Sequence, residues 1–390
     1  RHAFAPGGML HYGEGKWYPG EPLPRWAYHC FWRKDGVSIW KNDNLLGAPD
    51  KSYGHDIGTA AVFSKALAER LGVSPEFLVA GFEDALYCAW KEDELPANVD
   101  PYKSNLNDPV ERQMLARLLD SDLNSPVGYA LPLKWDQLEN HWISAPWKFR
   151  RPQMVLTPGT SAMGFRLPLG SLPWVSEADT EPHIERSPLH DHLPLENPAD
   201  VLATRYQKQR PSEEAKERVT TQEVGDDPEV PLKHVPRTAL CVEPRDGRLH
   251  VFLPPVMVLE HYLEFVAAVE SVAMEMKTPV IIEGYEPPQD HRLERLSVTP
   301  DPGVIEVNIQ PATTWNDLVR NSTVLYEEAR LARLSAEKFM IDGRHTGTGG
   351  GNHITLGGLT PADSPFLRKP GVLRSFLTYW QHHPGLSYLF

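Results

Sequence analysis

The last third of the chain constrains the fold most, because its apolar residues switch between a two-residue and a helical period in a fixed order. Residues 238–242 and 249–253 read as two strands joined by the tight turn Arg245-Asp246-Gly247. Residues 256–276 then carry Val258, Tyr262, Phe265, Val266, Val269 and Val272 or Ala273 on one face of a helix. Residues 279–283 suit a buried strand. Residues 304–309 alternate strictly, with Glu306 and Asn308 on one side and Ile305, Val307 and Ile309 on the other. A helix over 315–338, with Asp317 in its first turn, leads into a glycine-rich loop. Strand, strand, helix, strand, strand, helix predicts an α+β fold: an antiparallel or mixed sheet with helices packed on one face.

The upstream signals are weaker. Residues 1–55 are rich in Gly, Pro and Trp and read as turns and extended loops held by aromatic anchors. Asp56 is placed to cap a helix that runs to Leu71 and stops at Gly72. Ser74-Pro75-Glu76 has the form of a second helix start, and Phe77, Leu78, Phe82, Leu86 and Ala89 repeat at helical intervals, so a helical hairpin is expected there. Residues 115–119 suggest a third helix. Gly128-Tyr129-Ala130-Leu131-Pro132-Leu133 and Gly164-Phe165-Arg166-Leu167-Pro168-Leu169 both read as strand ends entering turns. The expected division is a helical, loop-rich region over 1–150, a strand segment over 151–175, an acidic proline-rich linker or insertion over 176–235, and a sheet domain over 236–390.

Charge is uneven. Of the net −13, residues 176–230 hold 14 acids and 6 bases, a net of −8, which leaves −5 for the rest. The acidity therefore belongs to one segment and says little about a substrate. It argues against a broad nucleic-acid-binding face, which needs clustered Lys and Arg. No run approaches the ~18–20 apolar residues that span a bilayer. Cys30, Cys88 and Cys241 are far apart and read as buried small hydrophobes in a reducing, cytoplasmic setting. His190 and His192 form a His-x-His pair with His183 nearby, in a segment whose composition favours solvated chain over a metal site. A start at Arg1 rather than Met, and an end inside Leu386-Ser387-Tyr388-Leu389-Phe390, fit an internal piece of a longer protein.

Two features could carry chemistry. Glu306 and Asn308, with Glu283, Glu286 and Asp301 close in sequence, offer oxygen donors of the kind Mg²⁺ prefers, or they form the wet side of a sheet. The run Gly343-Arg344-His345-Thr346-Gly347-Thr348-Gly349-Gly350-Gly351-Asn352-His353 lets backbone N–H groups approach an anion, or it is a surface loop. It is neither a Walker loop nor a dinucleotide fingerprint. His345 and His353 lack a third zinc ligand at usual spacing.

That glycine-rich run, extended back to Ile341 and Asp342, and the opening string Leu10-His11-Tyr12-Gly13-Glu14-Gly15-Lys16-Trp17-Tyr18-Pro19-Gly20-Glu21-Pro22-Leu23-Pro24-Arg25-Trp26 resemble the amidoligase family over nearly the whole chain. Members resemble glutamine synthetase and glutamate–cysteine ligase in fold, and many are long bacterial proteins with a transglutaminase-like domain ahead of this region. The resemblance implies part of a glutamine-synthetase-like sheet and an ATP- and Mg²⁺-dependent ligase. Such an enzyme phosphorylates a carboxylate, of a small molecule or a peptide, for attack by an amine. It implies Glu243, Glu283, Glu306 and Asn308 as metal ligands, with Glu306 and His353 catalytic. Gly347, Gly349, Gly350, Gly351 and Asn352 would form the phosphate-side loop. Arg292 and Arg295 would neutralise phosphate, or pair with Asp290 or Glu294 at the surface. Nothing after Gly358 supplies the arginines and further Glu with which such ligases close their site; Arg368 and Arg374 merely flank Pro370. A partial site is expected. Two other readings compete: a non-catalytic substrate-binding scaffold serving a transglutaminase-like domain, and a metal-dependent hydrolase.

Overall fold

The computed structural model describes residues 1–15, 26–93, 96–103, 112, 115–116, 119, 122–137, 140–175, 192–207, 235–301, 303–347, 353–358 and 361–387. The chain is α+β. One mixed sheet of ten strands runs in the order β12-β11-β2-β1-β10-β9-β8-β4-β3-β7. In chain order these are β1 (Met9–Glu14), β2 (Trp26–Arg33), β3 (Val79–Phe82), β4 (Gly128–Pro132), β7 (Met154–Val155), β8 (Ala239–Arg245), β9 (Arg248–Leu253), β10 (Val280–Gly284), β11 (Leu293–Asp301) and β12 (Val304–Asn308). A separate hairpin is formed by β5 (Lys134–Asp136) and β6 (His141–Ile143), and a short pair by β13 (Lys338–Phe339) and β14 (His345–Thr346).

The pattern of the last third translates into these elements. β8 and β9 meet through a two-residue turn in which Asp246 (φ 51°) and Gly247 (φ 75°) both take positive φ, the conformation that matches strand twist. Their alternation sends Leu240, Val242, Leu249, Val251 and Leu253 to one face. There they meet helix α4 (Leu259–Met276), whose Tyr262, Leu263, Phe265, Val266, Val269, Val272 and Ala273 are buried. Helix α1 (Ile57–Arg70) packs on the same face, and Asp56 caps it by accepting the Thr59 amide at 2.8 Å. The other face, at the β9-β8-β4-β3-β7 end, is covered by a second core of Ala130, Met154, Leu156, Met163, Leu167, Cys241 and Phe252.

Several expectations give way to tertiary pairing. Residues 1–55 are not only loops, for β1 and β2 lie in the middle of the sheet, β1 pairing with β10 and β2 with β11. They escape a search for alternation because both faces of Trp26–Arg33 carry aromatic or His side chains. The second arm of the expected helical hairpin is a 3-10 turn, Pro75–Phe77, then strand β3, then helix α2 (Ala85–Asp93). Pairing of Val79–Phe82 with β4 and β7 overrides its weak helical periodicity. Of the two Leu-Pro-Leu strings, the first is β4, whereas the second forms the 3-10 turns Met163–Arg166 and Leu169–Ser171. Leu115, Ala116 and Leu119 are helical, and their neighbours lie outside the described residues.

Within the acidic segment, helix α3 (Pro198–Gln207) packs against α4 and buries Leu202. The stretch before it is strapped down by two arginines. Arg33 donates to the carbonyls of Leu195 and Glu196, and Arg292 to that of Leu193. His183 and His190 lie outside the described residues. His192 Nδ1 sits 3.8 Å from Asp290. Helix α5 (Trp315–Leu331) ends earlier than the sequence suggests, and Lys338 lies in β13. Helix α6 (Pro370–Gln381) follows near the end.

Candidate active site

Register decides which polar residues meet. Tyr12 of β1 aligns with Glu283 of β10, and Glu283 aligns with Phe252 of β9. His250 of β9 aligns with Glu243 of β8. All these side chains alternate with residues of the α4-side core, so they share the opposite face of three neighbouring strands and β1. Glu243 and Glu283 are 5% and 3% exposed.

Burying two carboxylates this closely is costly unless positive charge and donors surround them. Arg245, at the end of β8, supplies both. Its Nη2 donates to Glu283 Oε2, and its Nε lies 3.5 Å from Glu243 Oε1. Glu243 Oε2 accepts the Met163 amide at 2.9 Å, and His250 Nδ1 lies 3.0 Å from Glu283 Oε2. Burial pushes Glu283 up, but Arg245 and His250 more than offset it and hold its carboxyl well below the usual range. Glu243 moves the other way, since burial outweighs Arg245 and the neighbouring Glu283 adds to it. Three atoms of the cluster have no hydrogen-bond partner: Glu283 Oε1, His250 Nε2 and Arg245 Nε. A carboxylate only accepts, so His250 carries its proton on Nδ1, and in the neutral ring Nε2 presents a lone pair.

A second polar cluster lies on the α4 side. His29 Nδ1 is 2.9 Å from Ser297 Oγ, and its Nε2 is 2.9 Å from Glu286 Oε1. His11 is fully buried beside it, ring centroids 5.9 Å apart. Burial, and then His29, pull the His11 pKa down to about 4 against the pull of Glu286 and Glu283. Gly284 (φ 103°) makes the turn between Glu283 and Glu286, and a Cβ there would lie 2.6 Å from the Leu253 carbonyl oxygen.

The structure therefore unites Glu243 and Glu283 and sets Glu306, Asn308 and Arg295 apart from them. Glu306 and Asn308 align with Thr299 and Ser297, which puts them on the α4 side of the edge strand β12. Asn308 donates to Glu306 at 2.9 Å. β12 is four strand positions from β10, roughly 19 Å along the sheet, and Glu283 faces the other way. Arg292 is engaged by Asp290, Glu260 and the Leu193 carbonyl, and Arg295 pairs with Glu286. Gly347 and His353 are exposed, and Gly349, Gly350, Gly351 and Asn352 lie outside the described residues.

Sequence reading missed Arg245, His250 and Tyr12. His250 carried a signal, a polar residue inside an apolar strand, whereas Arg245 read as a turn residue and Tyr12 as part of a loop. The donors suit a divalent cation in kind: two buried carboxylates, one with an unpartnered oxygen, and an imidazole nitrogen. As arranged, however, they enclose a guanidinium. Among the described residues no group of three or more His, Cys, Asp or Glu is gathered closely enough to hold a metal ion. The three cysteines are buried and free, and burial pushes each thiol up, Cys241 well above its usual value. Among the described residues no helix is long and apolar enough to cross a membrane.

A family model described as "Putative amidoligase enzyme (DUF2126)" matches residues 1–390. No curated protein and no solved structure matches the chain.

Proposed function

The chain belongs to this amidoligase family over its whole length, and from that premise we propose that it is the ligase portion of an ATP-dependent carboxylate–amine ligase. The observation that carries the reading is the buried pair Glu243 and Glu283, on the face away from α4, with an unpartnered carboxylate oxygen beside Arg245 and Tyr12. In this reading the substrate carboxylate attacks the γ-phosphorus of ATP, an O–P bond forms, the bond to the bridging oxygen breaks and ADP leaves. The amine nitrogen then attacks the acyl carbon, loses a proton and expels phosphate. Such chemistry needs positioning and charge neutralisation rather than a protein nucleophile, which suits a chain whose thiols are buried and raised.

Glu243 and Glu283 would hold Mg²⁺, whose charge would offset that of the phosphates. Arg245 contributes a further cation on the same face, with its side chain 27% exposed. Arg295 and Glu306 lie on the α4 side of β11 and β12, away from this pair, so the proposal rests on β8, β9 and β10. The carboxylate and amine substrates, small molecules or peptides, and a transglutaminase-like neighbour in the parent protein belong to the same proposal.

The test is ADP and phosphate release coupled one-to-one to amide formation, in the full-length protein supplied with ATP, Mg²⁺ and panels of carboxylates and amines. Glu283→Gln should lower coupled turnover by roughly 100-fold, on the scale of losing one preorganised charge-stabilising group. Full turnover by that variant, or amide formation without ATP, would sink the reading.

A further inference from the structure

Arg245 is placed unlike an ordinary surface ion pair. Its partners are two carboxylates at least 95% buried, whereas its own side chain reaches them from the end of a strand and stays 27% exposed. The backbone beneath it is fixed. The β8–β9 turn is pinned where the Gly247 carbonyl accepts the amides of Tyr53 and His55 at 2.9 and 3.0 Å, and Arg248 donates to the Pro49 carbonyl. Any movement of the guanidinium is therefore a side-chain rotation. Glu283 Oε1 and His250 Nε2, both buried and unpartnered, remain in the cluster as donor atoms that Arg245 does not use.

We propose that Arg245 is an exchangeable counter-ion. It occupies the Glu243–Glu283 pair when no divalent cation is bound, and it rotates out toward the open face when one binds. The physical reason is charge. One guanidinium offsets only part of the two carboxylates' charge, and it leaves a buried oxygen unsatisfied. A divalent cation offsets both charges and takes up that oxygen, at the cost of releasing the guanidinium to solvent. Once released, Arg245 lies beside Tyr12 at the mouth of the site, free to pair with an anionic group of an incoming substrate. This inference rests on the reading of Glu243 and Glu283 as the cation site, but it needs neither nucleotide nor turnover.

The test uses the full chain with Mg²⁺ or Mn²⁺ alone. In protein labelled with ¹⁵N-arginine, the Arg245 Nη2–H resonance, which reports the contact with Glu283 and is assigned through Arg245→Lys, should be protected before cation is added. It should shift and lose protection saturably with Mg²⁺. In calorimetry, Arg245→Gln should bind Mn²⁺ about tenfold more tightly or better, the equivalent of removing one competing charge-assisted hydrogen bond. Glu283→Gln should abolish binding. An Arg245 resonance unchanged at cation saturation, a folded Arg245→Gln that binds no tighter than the native protein, or no saturable cation binding at all overturns the proposal. Because the resonance is read in the native chain, a variant that fails to fold does not block the test. Exchange without ATP-dependent amide formation would leave this inference standing and the ligase reading not. The reverse pattern would separate them the other way.

Discussion

The two polar clusters lie back to back on neighbouring strands, yet they solve the burial of charge differently. On the face away from α4, Glu243 and Glu283 share one guanidinium and keep an unpartnered oxygen. On the α4 side, His29 answers Glu286, Ser297 answers His29, and His11 stays neutral because burial and His29 oppose its protonation. The first cluster holds excess negative charge that a further cation would relieve. The second pairs one acid with one histidine, and the buried atoms it leaves without a hydrogen bond, both nitrogens of His11 and Nε2 of His29, belong to imidazoles rather than to a carboxylate. Polarity and burial alone do not mark a functional site; an imbalance left beside an accessible side chain is the better guide.

The sharpest way to break the comparison is to delete the shared acid. Glu283→Ala leaves Arg245 and His250 facing each other without their common acceptor. It should cost roughly 3–5 kcal/mol of stability, the range for an orphaned buried ion-pair partner, read from the denaturant midpoint. A loss under about 1 kcal/mol, ordinary for an exposed pair, would mean that the cluster is wetter than its burial indicates.

Acid should separate the two clusters. His11 titrates near 4 in the folded chain against 6.5 in the unfolded one, so between those values the unfolded state binds more protons and stability falls as pH falls. The full effect is about 3 kcal/mol. Glu283, held below its usual 4.5, loses its contribution only as pH drops further. Unfolding free energies measured from pH 7 to pH 4 should therefore decline, and His11→Phe should flatten that decline while leaving the loss below pH 4.5. An unchanged slope in His11→Phe would show that His11 is not the group titrating.

Legibility followed the number of faces a strand buries. β8, β9 and β10, the helix α4 and the Asp246-Gly247 turn were readable because their period or turn chemistry is local. β1 and β2 were not, because central strands lined on both sides lose the alternation that identifies a strand, and β11 hid behind Pro300 and Pro302. Glu243 and Glu283 were legible as a pair only through the family resemblance, since two strands 40 residues apart meet by β9 lying between them. Arg245 could be found only from the register that points it back at both acids.

Glu306 supplies the last and smallest contrast. Its strand alternates more cleanly than any other, which made it the obvious site strand, but cleanness here reflects an edge position with Ile305 40% exposed. Strands deep in the sheet bury both faces and lose that contrast, so the clearest alternation marks the least enclosed strand. Glu306 meets Asn308 at the surface and stands four strand positions from Glu283. Glu306→Ala should shift stability by no more than about 1 kcal/mol, against several for Glu283→Ala, in thermal unfolding of the two variants side by side. Equal losses would show that the edge strand carries a buried load that its exposure conceals, and the contrast between enclosed and edge carboxylates would have to be redrawn.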